Sequence, residues 1–86
     1  MRSYWLRISS PNGDLFNGEV VKLCVRGTEG DLAVMAGHIP FVSYVKPCDC
    51  KLELEDGSER IGTIGGGLLT VSKEQVILLS GDFSWK

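Results

Sequence analysis

At 86 residues the chain has room for one domain and one core. Its 43% apolar content can fill that core, while 23% charged residues at a net charge of −2 leave no cationic surplus for nucleic-acid phosphates. Eleven glycines and three prolines interrupt the chain so often that the longest run free of both is the thirteen residues Leu68–Ser80. A helical bundle is excluded, because each Gly or Pro inside a helix costs about 1 or 3 kcal/mol relative to Ala.

Taken in chain order, the sequence reads as short strands between turns. Tyr4, Leu6 and Ile8 alternate with Trp5, Arg7 and Ser9, the period of a strand with one face on a core. Pro11-Asn12-Gly13-Asp14 is a turn, with φ fixed at Pro and a positive φ available at Gly. Val21, Leu23 and Val25 then oppose Lys22, Cys24 and Arg26 across a second strand, which Gly27-Thr28-Glu29-Gly30 breaks. Leu32 to Met35 is a further apolar run ending at Gly37, and Phe41 to Lys46 is strand-like between Pro40 and Pro47, residues that remove ladder donors. Cys50, Leu52 and Leu54 alternate with Lys51, Glu53 and Glu55 up to Asp56-Gly57, a hairpin signal, with Glu59 to Ile64 returning. Gly65-Gly66-Gly67 has no side chain to pack and predicts a bend where a strand changes sheet or another backbone comes close. Leu68 to Val71, a turn at Ser72-Lys73-Glu74, and Gln75 to Leu79 follow. Ser72-x-x-Gln75 also fits a helix capping box, but the β-branched Val76 and Ile77 and the unbroken apolar run to Leu79 favour a strand.

Eight or more short strands in this length predict an all-β sandwich or small barrel. No transmembrane-length apolar run and no signal-peptide pattern is present. The three cysteines, Cys24, Cys48 and Cys50, form no closed disulfide framework.

Few residues carry catalytic chemistry. The one histidine, His38, lies in a Gly-His-Ile-Pro loop, and no Ser or Cys stands in a nucleophile motif. Cys48-Asp49-Cys50 with His38 makes at most an incomplete metal set, at spacings foreign to structural zinc sites. Gly62, Gly65, Gly66 and Gly67 lack the Gly-Lys-Ser/Thr ending of a phosphate-binding loop. The expectation is therefore no catalytic residue, no cofactor and no metal, in a domain that works by binding.

Phe16-x-Gly18-Glu19-Val20, Gly27-Thr28-Glu29-Gly30-Asp31-Leu32, Gly37-His38-x-Pro40, Lys46-Pro47 and Gly66-Gly67-x-Leu69-x-Val71 occur in order over most of the chain. Together they resemble the N-terminal β-sandwich domain of the epsilon subunit of F-type ATP synthases, called delta in mitochondria. The resemblance implies two packed, mostly antiparallel five-stranded sheets in a flattened sandwich. It further implies a non-catalytic rotor part of the central stalk, on the cytoplasmic face of the cell membrane without insertion, joining the gamma subunit to the c ring. Matched residue by residue, Thr28, Glu29, Gly30 and Asp31 face the c ring, and Ser10 and His38 lie near gamma. Exposed ion pairs are worth about 0–1 kcal/mol, so Glu29 and Asp31 would tune docking more than supply affinity, which would reside in apolar residues on an outer sheet face. Ala33, Ala36 and Cys48 stand where the family commonly has Gly, Pro and Gly. The family's two C-terminal helices have no counterpart in residues 1–86, which reads as a single domain without the inhibitory helical hairpin. Two rival readings are a small acidic barrel that binds another ligand, single-stranded nucleic acid being the obvious one, and an enzyme using His38 and a cysteine.

Overall fold

Alternating apolar residues become ten strands in the computed structural model, which describes residues 2–86 and contains no helix among them. They are β1 (Tyr4–Ser10), β2 (Gly13–Val20), β3 (Lys22–Gly27), β4 (Gly30–Met35), β5 (Phe41–Val45), β6 (Cys48–Glu53), β7 (Glu59–Ile64), β8 (Gly67–Val71), β9 (Gln75–Leu79) and β10 (Phe83–Trp85). One layer runs β5-β8-β9-β1-β2 and the other β10-β7-β6-β3-β4. Every pair is antiparallel except β1 with β9, which is parallel. The expected two five-stranded sheets are present, with one difference. They are hydrogen-bonded into a single path, because Gly27 of β3 pairs with Val45 of β5 and the Lys46 N–H donates to the Arg26 carbonyl at 2.9 Å.

The path folds over on itself because two neighbouring strands turn a corner together. β5 continues into β6 through Lys46-Pro47, and β7 into β8 through Gly65-Gly66, so each leaves one layer and enters the other. Pro47 has no N–H and ends the first ladder. On the return strand Gly66 has φ +112°, and a Cβ on Gly67 would fall onto the Leu79 carbonyl oxygen. The predicted bend and the predicted close approach are thus both present, although Gly67 itself already belongs to β8 and pairs with Val45.

Between the layers lies one core. Leu6, Ile8, Leu69, Val71, Val76 and Leu78 enter it from the first layer, and Leu23, Val25, Val34, Cys50, Leu52 and Ile64 from the second. The free edges of β2 and β10 meet through side chains rather than backbone. Trp85 packs edge-on to Phe83 at 4.9 Å and to Phe16 at 6.3 Å, with the Arg60 guanidinium 3.8 Å from the Trp85 ring centre.

Two strands escape the sequence reading. β2 contains Gly13, Asp14, Asn17, Gly18 and Glu19, poor strand formers, and forms because it pairs along the whole of β1, with one irregularity at Ile8/Ser9. β10 is only three residues long and pairs with β7 at Gly62–Ile64, where the absence of a side chain at Gly62 admits the Phe83 ring. The Ser72–Gln75 motif closes the β8–β9 hairpin instead of capping a helix: the Ser72 hydroxyl donates to the Gln75 carbonyl at 2.8 Å and its N–H to the same oxygen at 3.0 Å.

Gly67→Ala is expected to cost roughly 1–3 kcal/mol through overpacking, a fall in thermal midpoint of roughly 5–20 °C for a domain this size. Gly81→Ala, where a Cβ meets nothing within 4 Å, serves as the near-neutral control. Equal melting curves for the two variants would remove the close approach from the account of the corner.

Candidate functional site

The register decides which side chains face out. With Leu6, Ile8, Leu69, Val71, Val76 and Leu78 turned to the core, alternation points Trp5 and Arg7, Leu68 and Thr70, Ile77 and Leu79, and Val42 and Tyr44 to the outside of the first layer. Cross-strand pairing lines them up in rows, Tyr44 beside Leu68 beside Leu79, and Val42 beside Thr70 beside Ile77 beside Arg7. Tyr44 is 71% and Val42 63% exposed, so this face is a contiguous apolar surface of the kind that marks an interaction site.

The outer face of the second layer has the opposite character. Lys51 pairs with Glu59, Arg26 with Asp31 and Lys86 with Asp49, each at 3.0 Å. Six of its charges pair within the chain, beside the exposed apolar side chains of Met35 and Ile61. The two outer faces therefore differ, and the first layer is the candidate partner side.

Thr28, Glu29, Gly30 and Asp31 form the exposed β3–β4 turn, with Gly30 at φ +124°. The two acids are not equivalent. Arg26 Nε donates to Asp31 Oδ1 at 3.0 Å, and the pairing also raises the arginine pKa, whereas Glu29 has no ion-pair partner among the described residues. Ser10 closes the β1–β2 turn, its hydroxyl donating to the Gly13 carbonyl at 3.0 Å and accepting the Asn12 N–H at 3.2 Å. His38 sits beyond the other end of β1, edge-on to Tyr4 at 5.3 Å. Ser10 and His38 are therefore not brought together; they bracket the apolar face, separated by about 20 Å if six strand residues rise about 3.4 Å each.

His38 is committed internally. Nδ1 lies 2.8 Å from the Met35 carbonyl and Nε2 2.8 Å from the Ser72 carbonyl, so the ring ties the β4–β5 connection to the β8–β9 turn. Carbonyls only accept, so which of the two receives the ring N–H depends on the tautomer. No group of three or more His, Cys, Asp or Glu side chains suited to a metal comes together among the described residues. Cys48 Sγ instead accepts the Arg26 N–H at 3.4 Å, and Gly65–Gly67 forms the sheet corner rather than an anion cradle.

The apolar face carries a signal in the sequence, the unbroken run Val76 to Leu79. A strand apolar at four successive positions has apolar residues on both faces, and only one of them can look into the core. Register with β1 and β8 is needed to add Trp5, Val42, Tyr44 and Leu68 to it.

Cys50 is fully buried, and burial, helped by the neighbouring Cys48 and Cys24 thiols, pushes its pKa up to about 12. Burial also raises that of Tyr4, whose hydroxyl donates to the Val34 carbonyl at 2.6 Å. An unfolded thiol ionises near 8.5. Because the folded pKa is the higher one, the Cys50 contribution to stability is complete below about pH 8.5 and is lost as pH rises towards about 12. Denaturation midpoints should be level from about pH 6 to 8 and fall above about pH 9. Alkylation at pH 8 should reach half-exposed Cys24 directly and Cys50 only through unfolding; equal labelling rates would contradict this burial.

Comparison with known proteins agrees with this geometry. The family model for the ATP synthase delta/epsilon chain β-sandwich domain matches residues 3–86. An ATP synthase epsilon chain of Psychrobacter cryohalolentis is 32% identical over 80 residues, which are 93% of this chain and 58% of that relative. Among solved structures, a chain of the Euglena gracilis mitochondrial ATP synthase (OSCP/F1/c-ring) superposes with a TM-score of 0.90 at 22% identity, covering 96% of this chain and 53% of that one. A chain of the Tetrahymena thermophila mitochondrial ATP synthase central stalk and c ring gives 0.78 at 12% identity, covering 96% and 66%. At these identities the structural matches establish the fold. The chain spans little more than half the length of the epsilon chain it matches.

Proposed function

The chain belongs to the ATP synthase delta/epsilon family through its β-sandwich domain, and from that premise we propose that it is a non-catalytic central-stalk subunit of an F-type ATP synthase, joining gamma to the c ring and turning with them. The observation that carries the reading is the uncovered apolar face of Trp5, Val42, Tyr44, Leu68, Ile77 and Leu79, set against a self-paired charged face on the other layer. A face of that composition holds a partner by desolvation, with the energy concentrated in a few large side chains. Gamma is the partner for this face, with Ser10 and His38 at its two ends. Thr28, Glu29, Gly30 and Asp31 are the turn that meets the c ring. In a bacterial cell this places the subunit peripherally, on the cytoplasmic side of the membrane.

Mechanism follows from stiffness and position. A rotor part transmits torque without chemistry of its own, and a compliant joint would store each step locally as strain. A core packed at crystal-like density deforms little. Here the two layers are also bonded to one another at Gly27–Val45, closed by the Phe16–Trp85–Arg60 contacts on the other side, and tied by His38 across two loops.

The test is association with the cognate gamma subunit by co-purification and calorimetry. Tyr44→Ser with Ile77→Ser should weaken binding roughly 10- to 100-fold, at about tenfold per 1.4 kcal/mol, while Lys22→Ser on the charged face leaves it unchanged. A folded wild-type chain that does not bind gamma overturns the reading. In the assembled complex, Glu29→Gln should reduce ATP-driven ion pumping more than Asp31→Asn and leave ATP hydrolysis in the head intact, because Asp31 is already held by Arg26. Undiminished pumping in the double variant would detach this turn from coupling.

A further inference from the structure

The open edge of β5 presents backbone as well as side chains. The Lys46 N–H donates to the Arg26 carbonyl across the layer junction, on the side of β5 away from β8. Backbone groups alternate sides along a strand, so those of Val42, four residues earlier, face the same way. β3 reaches only Val45 on that side, and the Val42 N–H and carbonyl have no strand beside them.

The other edges are managed. β2 and β10 close on each other through Phe16, Trp85 and Arg60. On β4 His38 meets the Met35 carbonyl and Asp31 adds a charge. Edge strands are ordinarily blunted by such caps and charges because a bare edge templates pairing with another chain. Ile39 to Val45 contains no charged residue, and Ile39, Val42 and Tyr44 are 81%, 63% and 71% exposed. Along this edge runs an open groove of about 330 Å³ whose far wall is Gly27, Thr28, Glu29 and Leu32. That wall carries Glu29, which has no ion-pair partner among the described residues.

The geometry points to strand addition: β5 receives an extended segment of its stalk partner, paired to the Val42 backbone, apolar at alternate residues, with a basic residue where the segment passes Glu29. This rests on the assignment of gamma as the partner and specifies how part of gamma is held. Backbone pairing fixes the register of the two subunits as well as their affinity, which side-chain packing on a flat sheet face does only weakly.

Amide exchange in the free chain and in its complex with gamma tests this without any substitution. The Val42 amide should exchange freely alone and slow at least tenfold in the complex. Val42→Pro removes the outward N–H at an edge position, where proline is tolerated. It should weaken gamma binding at least tenfold with an unchanged circular dichroism spectrum, and at least fivefold more than Val42→Thr, which gives up the same apolar side chain but keeps the N–H. Binding with a Val42 amide as exposed as in the free chain overturns the strand addition and leaves the partner assignment standing. Absence of wild-type binding overturns both.

Discussion

Two adjacent strands bending at the same place hold this molecule in its shape. The segment from Phe41 to Val71 is a long hairpin with its tip near Asp56-Gly57, folded in half at Lys46-Pro47 on one arm and Gly65-Gly66 on the other. Val45 pairs with Gly67 before the fold and Cys48 with Ile64 after it, so the two arms keep register while crossing from layer to layer. The corner requires a residue that ends a ladder and a return strand without side chains, since Cβ atoms at Gly65 and Gly67 would meet Asp82 and the Leu79 carbonyl. Every other strand is placed by pairing outwards from this hairpin, and the core fills the angle it encloses.

Once the corner sets the two layers, alternation decides what each outer face is made of. In the second layer the outward positions carry Lys22, Arg26, Asp49, Lys51 and Glu59, which largely pair among themselves. In the first they carry Val42, Tyr44, Leu68, Ile77 and Leu79. Strands covered on both sides read as continuous apolar runs, and those with one wet side alternate. Val76 to Leu79 is a run of the first kind in a layer whose outer face is covered by nothing among the described residues.

Much of this was legible in the residues and some was not, for physical reasons. Val21, Leu23 and Val25 against Lys22, Cys24 and Arg26 gave their faces directly, because a strand has period two. Asp56-Gly57 gave its turn, with Gly57 at φ +87° and Asp56 accepting the Ser58 N–H at 2.9 Å. The glycine triplet gave a bend. β2 was hidden because its residues are poor strand formers held by a neighbour, and β10 because three residues have no measurable period. The family motifs named the turn Thr28–Asp31, but that Arg26 occupies Asp31, and that His38 spends both nitrogens on backbone carbonyls, depends on side-chain geometry that spacing does not encode. The partner face needed cross-strand register, which belongs to pairs of strands and not to any one of them.

An apolar face and a bare edge are a burden to a free chain and would be a resource in an assembly. A partner that binds only the folded chain stabilises it by an amount that grows with partner concentration over the dissociation constant, about 2.7 kcal/mol at a hundredfold excess. A domain of this size buries only about 60–65% of its unfolded surface, so such a contribution is a sizeable fraction of its whole stability. On the proposed rotor role, part of the rigidity it demands would be conferred by docking. A partner on the first layer would stiffen the side through which torque would enter, and the paired charges of the other layer would keep the opposite face from competing for it.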